Sequence, residues 1–203
     1  MIQRADSTHA RAMARLHKDT ISNGFLSLLG ESFLESMYSY LIKKEMAFVY
    51  CGQEKVEGFV SLTKSSPKMM KSFLLHKPGS LIILAFSMLT KPGLWIKMAE
   101  TFLAPFKTTK NKSSEPGGSF PPAELLSISV SPVSQNSGIG SQLVEALDEL
   151  LIREKINRYK VVVGQELLSA NRFYQKNGFV LAGEVTIHGK KISNVYIKEL
   201  EVQ

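Results

Sequence analysis

The chain reads as an α/β domain in which helices flank a mixed sheet, and three observations lead there. Residues 124 to 164 alternate strand, helix and strand in one compact run, a βαβ unit whose crossover makes its two strands parallel. Two earlier strand-like runs, Ala47 to Cys51 and Val56 to Leu62, are joined by only Gly52-Gln53-Glu54-Lys55, so they form an antiparallel hairpin. Between Glu31 and Lys44, Phe33, Leu34, Met37, Tyr38, Leu41 and Ile42 recur at the spacing of an amphipathic helix. The 203 residues suit a single domain, 1–203, with a helical insertion at 65–120 between the third and fourth strands.

Taken in order, Ile2 to Ala5 is a short opening strand. Asp6 or Ser7 then offers an N-cap for a helix over 8 to 22, which Gly24 would end. The amphipathic helix and the hairpin come next. Residues 66 to 106 hold apolar, helix-like segments punctuated by Lys77-Pro78-Gly79 and Lys91-Pro92-Gly93, which predict two or three short helices. From Lys107 to Ser119 polar residues, Gly and Pro take over, as in a mobile loop at 107–119. The last part predicts a strand at Glu124 to Val130, a helix at Gly138 to Glu154, a strand at Tyr159 to Gly164 and a helix at Ser169 to Asn177. A final hairpin turns at His188-Gly189-Lys190.

Composition narrows the function. Cys51 is the single cysteine and only four histidines are scattered along the chain, so neither a disulfide nor a metal is expected. No basic start leads into an apolar stretch of the secretory kind, and the expected location is the cytoplasm. The apolar run Ser80 to Leu89 is half of the roughly twenty residues that span a bilayer, so no membrane span is expected. The net charge of +7 favours an anionic partner. Because Lys and Arg are spread along the chain and not gathered with aromatics, nucleic acid is not the expected one.

The informative stretch runs from Glu124 to Ser141, a strand that enters a glycine-containing turn and opens a helix. The first N–H groups of a helix lack intrahelical partners and lie at the positive end of its dipole, so such a turn can seat a phosphate. Gly138 and Gly140 leave room for one. Position 143 is Leu, which excludes G-x-G-x-x-G, and no Gly-Lys-Ser/Thr follows a glycine, so neither common nucleotide loop is present.

Val130, Pro132, Gln135, Gly138 and Gly140 fill every position of V-x-P-x-x-Q/R-x-x-G-x-G/A, and the stretch therefore resembles the acyl-CoA motif of the GNAT superfamily of N-acetyltransferases. Ala170 to Phe179 is similar to that family's A-x-x-F-Y-x-K-x-G-F segment. The resemblance implies a sheet splayed open between the strands at 124–130 and 159–164, with the pantetheine of acetyl-CoA lying in the gap. By the same resemblance Ile128, Ser129 and Val130 would meet the pantetheine, and Gln135, Asn136, Ser137, Gly138, Ile139, Gly140 and Ser141 the pyrophosphate. Phe173 and Lys176 belong to the same cofactor set. Leu167 stands where the family often has Asn, so a side-chain contact would fall to Asn171. A homodimer is a further implication.

Acetyl transfer to an amine needs a neutral nucleophile, a polarised thioester and a proton for the departing thiolate. Tyr174 matches the family tyrosine beside the sulfur, and a phenol is protonated at neutral pH, which suits a general acid. Core packing is the plainer role for it. Glu124, read as facing the same way as Leu126, Ile128 and Val130, is a candidate base if partial burial raises its pKa. Glu166 and His17 are the other candidates. Asn23, Phe25 and the apolar segments of the insertion would wall the acceptor site. The expected reaction moves an acetyl group from acetyl-CoA to a small-molecule primary amine, and two alternatives stay open: longer acyl donors, or an acyl-CoA-binding module without catalysis.

Overall fold

The computed structural model describes residues 1–21, 26–53, 55–77, 79, 120–187 and 191–201. The expected wall residues Asn23 and Phe25, the final hairpin's turn and most of the insertion, with its loop at 107–119, lie outside the described residues.

Strand β1 (Ile2–Arg4) leads into a 3-10 turn at Ser7–His9, then α1 (Ala10–Thr20), a second 3-10 turn at Leu26–Leu29 and α2 (Glu31–Lys44). The hairpin is β2 (Met46–Cys51) and β3 (Val56–Thr63), followed by α3 (Ser66–His76) at the start of the insertion. The second half holds β4 (Glu124–Val130), α4 (Ile139–Arg153), β5 (Arg158–Gly164), α5 (Leu168–Lys176), β6 (Val180–Ile187) and β7 (Lys191–Glu199). The predicted first helix is shortened at both ends. Asp6 caps a capping box whose carboxylate accepts from Thr8 N–H at 2.8 Å and tightens the entry into a 3-10 turn. At the other end the hydroxyl of Thr20 turns back to Leu16 O, and α1 stops before Gly24.

The seven strands lie in the order β1-β2-β3-β4-β5-β7-β6. All neighbours are antiparallel except β4 and β5, the parallel pair that the βαβ unit predicts. Helices cover both faces. On one side Met13 and Ala14 of α1, Phe33, Leu34 and Met37 of α2 and Phe73 of α3 pack on Phe59. On the other, Leu143, Val144, Leu147 and Leu151 of α4 and Tyr174 of α5 pack on Val60, Leu62, Leu125, Val161 and Tyr196.

Two irregularities of β4 determine which side chains reach each face of the sheet. Its pairing with β3 runs from Gly58↔Val130 to Thr63↔Glu124, but slips between Ser61↔Ser127 and Leu62↔Leu125, leaving Leu126 as an extra residue. One extra residue in a strand of period two exchanges faces beyond it. Leu125 therefore joins Ile128 and Val130 on the α4 side, while Ser127 and Ser129 lie across the sheet, paired with Ser61 and Phe59. This corrects the expectation for Glu124. It does not face with Ile128 and Val130; it pairs with Thr63 and meets Ser66 on the side of α3. The second irregularity is the splay: β4 and β5 share the register pair Glu124↔Lys160 and then part.

Candidate functional site

The gap between β4 and β5 is closed at Glu124 and Lys160, where Lys160 N–H also bonds Ala123 O at 3.0 Å, and it widens toward Val130 and Gly164. Ile128, Ser129 and Val130 sit on its widening edge. Beyond the strand the chain is held down before it turns: Ser131 N–H bonds Glu57 O at 2.7 Å and Ser134 Oγ donates to the Glu57 carboxylate at 3.0 Å. Gln135 Nε2 reaches back to Val130 O at 3.3 Å, and Ser137 Oγ to Ser134 O at 2.6 Å. Asn136 and Gly138 take positive φ values of 62° and 85°. The first i→i−4 bond of α4 is Gln142 N–H to Gly138 O, so the N–H groups of Ile139, Gly140 and Ser141 stand before the helical ladder. Gln135, Asn136, Ser137 and Gly138 are exposed, as an anion seat requires.

The two glycines of the turn serve different ends. A Cβ at Gly138 would find its nearest atom, Gln142 Nε2, at 3.8 Å, so space is open and the left-handed φ is what demands glycine. A Cβ at Gly140 would stand 3.0 Å from Phe173 Cε2. The room at Gly140 is thus taken by the ring of Phe173 from α5, which corrects the expectation that both glycines clear space for phosphate. Phe173 locks the two motifs together. Lys176 is exposed in the last turn of α5.

Tyr174 is buried among aromatics, with ring centroids 5.3 Å from Phe173, 5.2 Å from Phe179 and 6.4 Å from Tyr196. Burial pushes its phenol further above the ordinary value, so it keeps its proton. Asn171, one turn earlier, has a structural place instead of a cofactor contact. Its Nδ2 donates to Gly164 O at 2.9 Å and Leu167 O at 2.8 Å, and its Oδ1 accepts from Asn194 Nδ2 at 2.8 Å and Tyr196 OH at 3.0 Å. Every hydrogen-bonding position of the amide is used within the protein.

At the closed end of the gap, Glu124 Oε2 accepts from Ser66 Oγ at 2.6 Å and lies 3.4 Å from Lys160 Nζ, which also donates to Pro121 O at 2.8 Å. The carboxylate is engaged, not loose at a strand end. Glu166 is exposed in the turn after β5. His17 is no surface residue: it is 2% exposed, and its Nδ1 lies 2.6 Å from Tyr38 OH. Desolvation pushes its pKa down to about 4, so the imidazole is neutral across the physiological range.

Tyr38 is bonded in turn by the side chain of Ser127 on β4, and Thr20 of α1 meets Ser129 two residues on. These groups form a buried polar strip against β4, and it escaped the sequence reading. Its signal was Ser127 and Ser129 at period two in an apolar strand; Tyr38 was hidden in a stripe of helix-core residues.

The acetyltransferase (GNAT) domain model matches residues 110–181, a span that holds β4, the turn, α4, β5 and α5. No curated protein matches the chain. Among solved structures it is similar to an N-acetyltransferase from Staphylococcus aureus Mu50, with 15% identity, a TM-score of 0.62 and coverage of 99% of this chain and 98% of that one. The ribosomal-protein-S18-alanine N-acetyltransferase from Escherichia coli is similar at 14% identity and a TM-score of 0.60, covering 100% of this chain and 95% of that one. The ribosomal-protein-alanine N-acetyltransferase from Brucella melitensis gives 14% identity and 0.60, with 98% and 99% covered. At such identities the likeness is one of fold, and it extends over the whole chain. The seven-stranded splayed sheet and the match of the acetyltransferase (GNAT) domain model over residues 110–181 agree in likening this chain to the GNAT acetyltransferases.

Proposed function

We propose that the domain transfers an acetyl group from acetyl-CoA directly to a primary amine. One observation carries this reading: the gap that opens from Glu124 and Lys160 leads to a turn whose exposed backbone N–H groups precede α4. An extended pantetheine fits between parting strands, where it finds backbone partners that β5 no longer supplies, and the phosphates fit the helix N-terminus. Acetyl-CoA brings the reactive thioester. The chain's own residues do the rest. Ile128, Ser129 and Val130 orient the arm, and the turn from Gln135 to Ser141 holds the anionic end. Tyr174 gives its proton to the sulfur as the carbon–sulfur bond breaks. Glu124 takes the proton that the amine loses, through water.

The names of the Escherichia coli and Brucella melitensis enzymes support an amine acceptor of this kind. A calorimetric titration with acetyl-CoA tests the reading. Wild type is expected to bind, and Gly138→Val, which forces a branched side chain into a left-handed φ, to lose binding while still folded. Tyr174→Phe is expected to keep affinity and lose roughly 10²-fold in kcat. A folded wild type that takes up no acetyl-CoA would sink the reading.

A further inference from the structure

Beside Glu124 the surface falls into two hollows of about 310 Å³ each, which share Lys64. One lies between α2 and α3 and presents Lys44, Lys64 and Lys68; the other lies between Pro121-Pro122 and Arg158. Both adjoin the closed end of the gap. Ser65 lines the first hollow and precedes Ser66, whose hydroxyl bonds Glu124; Ala123 lines the second and precedes Glu124 itself.

The charges are unbalanced. Glu45 is the one acid that lines either hollow, and its Oε2 already accepts from Lys64 N–H at 3.1 Å. The Lys64 ammonium pairs with Glu154 at 3.0 Å. Among the described residues no acid forms an ion pair with Lys44, Lys68 or Arg158. Cations gathered in two hollows that share a wall attract an anion more strongly than cations spread over a convex surface.

We propose that the two hollows form one basic groove that holds an acidic peptide segment, with the amine of that peptide delivered to Glu124. The proposal rests on the acyl-transfer reading and names its acceptor class. A polypeptide brings what both places need, an aliphatic amine for the gap and carboxylates for the groove. Lys44 and Lys68 are point charges that suit single carboxylates, and Arg158 adds a fork that a carboxylate also fills. Single-stranded nucleic acid wants exposed aromatic faces, and Tyr40, the aromatic residue that lines the groove, is buried.

The test uses the full chain and three probes labelled at the C-terminal or 3′ end: a peptide of alanine followed by glutamates, its glutamine counterpart, and a short oligothymidylate. In fluorescence anisotropy at low ionic strength the glutamate peptide is expected to bind about tenfold more tightly than the glutamine one, the sum of a few exposed ion pairs. Lys44→Glu and Lys68→Glu, both on exposed side chains, are expected to abolish that difference and leave acetyl-CoA affinity unchanged. In a thiol-release assay Lys68→Glu is expected to raise KM for the glutamate peptide and spare kcat. Equal affinity for the two peptides, indifference to the lysine variants, or tighter binding of the oligothymidylate overturns the groove. Failure of acetyl-CoA to bind strikes the acyl-transfer reading alone, because the anisotropy arms need no cofactor.

Discussion

His17 shows what one buried titratable side chain does to a domain. In the unfolded chain an imidazole titrates near 6.5, while in the fold desolvation lowers the value to about 4. Between those pH values the unfolded state binds the proton that the native state refuses, so stability rises with pH across that window. Above the unfolded value the group costs nothing. Through the window it withdraws about 3 kcal/mol, and below the folded value the loss is complete. Urea denaturation at pH 7 and again near pH 4.5 should show this slope, and His17→Gln, which retains a hydrogen bond to Tyr38, should flatten it. Its position was legible in the sequence as part of a helix, but its burial was not, because it depends on α2 closing over α1 with Tyr38 against the ring. Tyr174 was legible for the opposite reason: its neighbours in sequence, Phe173 and Phe179, are also its neighbours in space.

Among the elements, α5 depends on a single amide. Asn171 ties the end of β5 to the first turn of α5 and takes donors from β7, and Tyr196, one of those donors, stacks on Tyr174. Asn171→Ala leaves Asn194 Nδ2 and Tyr196 OH without this acceptor, while Gly164 O and Leu167 O keep their backbone N–H partners, and should cost about 2–4 kcal/mol in chemical denaturation. Asn171 thus acts on the phenol through Tyr196, as a positioning residue. Its substitution should lower kcat more than it raises KM for acetyl-CoA. The elements of the second half were legible because hydrophobic period changes cleanly from two to three and four across residues 124–153. The bulge at Leu126 was not: Glu-Leu-Leu-Ser-Ile-Ser-Val carries no glycine or proline to mark it, and only the register with β3 reveals it. Hence the strand was found and its faces were assigned wrongly for Glu124. Deleting Leu126 should remove the bulge while Leu125 and Glu124 keep their present faces and partners, because Leu126 is the unpaired residue. Thermal denaturation should then show a loss of about 1–3 kcal/mol, from the half-buried Leu126 side chain that packs on the Phe59 side of the sheet.

For the molecule as a whole, the two hairpins and the parallel β4–β5 pair followed from the sequence, through short turns and a crossover helix, and the splay followed from the resemblance alone. Nothing in the residues of β4 or β5 announces that they part after Glu124 and Lys160. The far edge of the sheet is β6, where Val180 and Leu181 are 70% and 50% exposed. An edge strand with apolar side chains invites a partner strand, and the homodimer expected from the resemblance is checked by sedimentation, with Val180→Lys predicted to hold the chain as a monomer. Along the middle of the sheet, β4 has two faces: Leu125, Ile128 and Val130 look toward α4, and Glu124, Ser127 and Ser129 toward α1, α3 and the polar strip. If the two substrates come to β4 from opposite faces, neither has to leave before the other enters. Initial rates at varied concentrations of both should then give intersecting double-reciprocal lines, and free CoA should compete with acetyl-CoA while leaving the acceptor's access to its own face open.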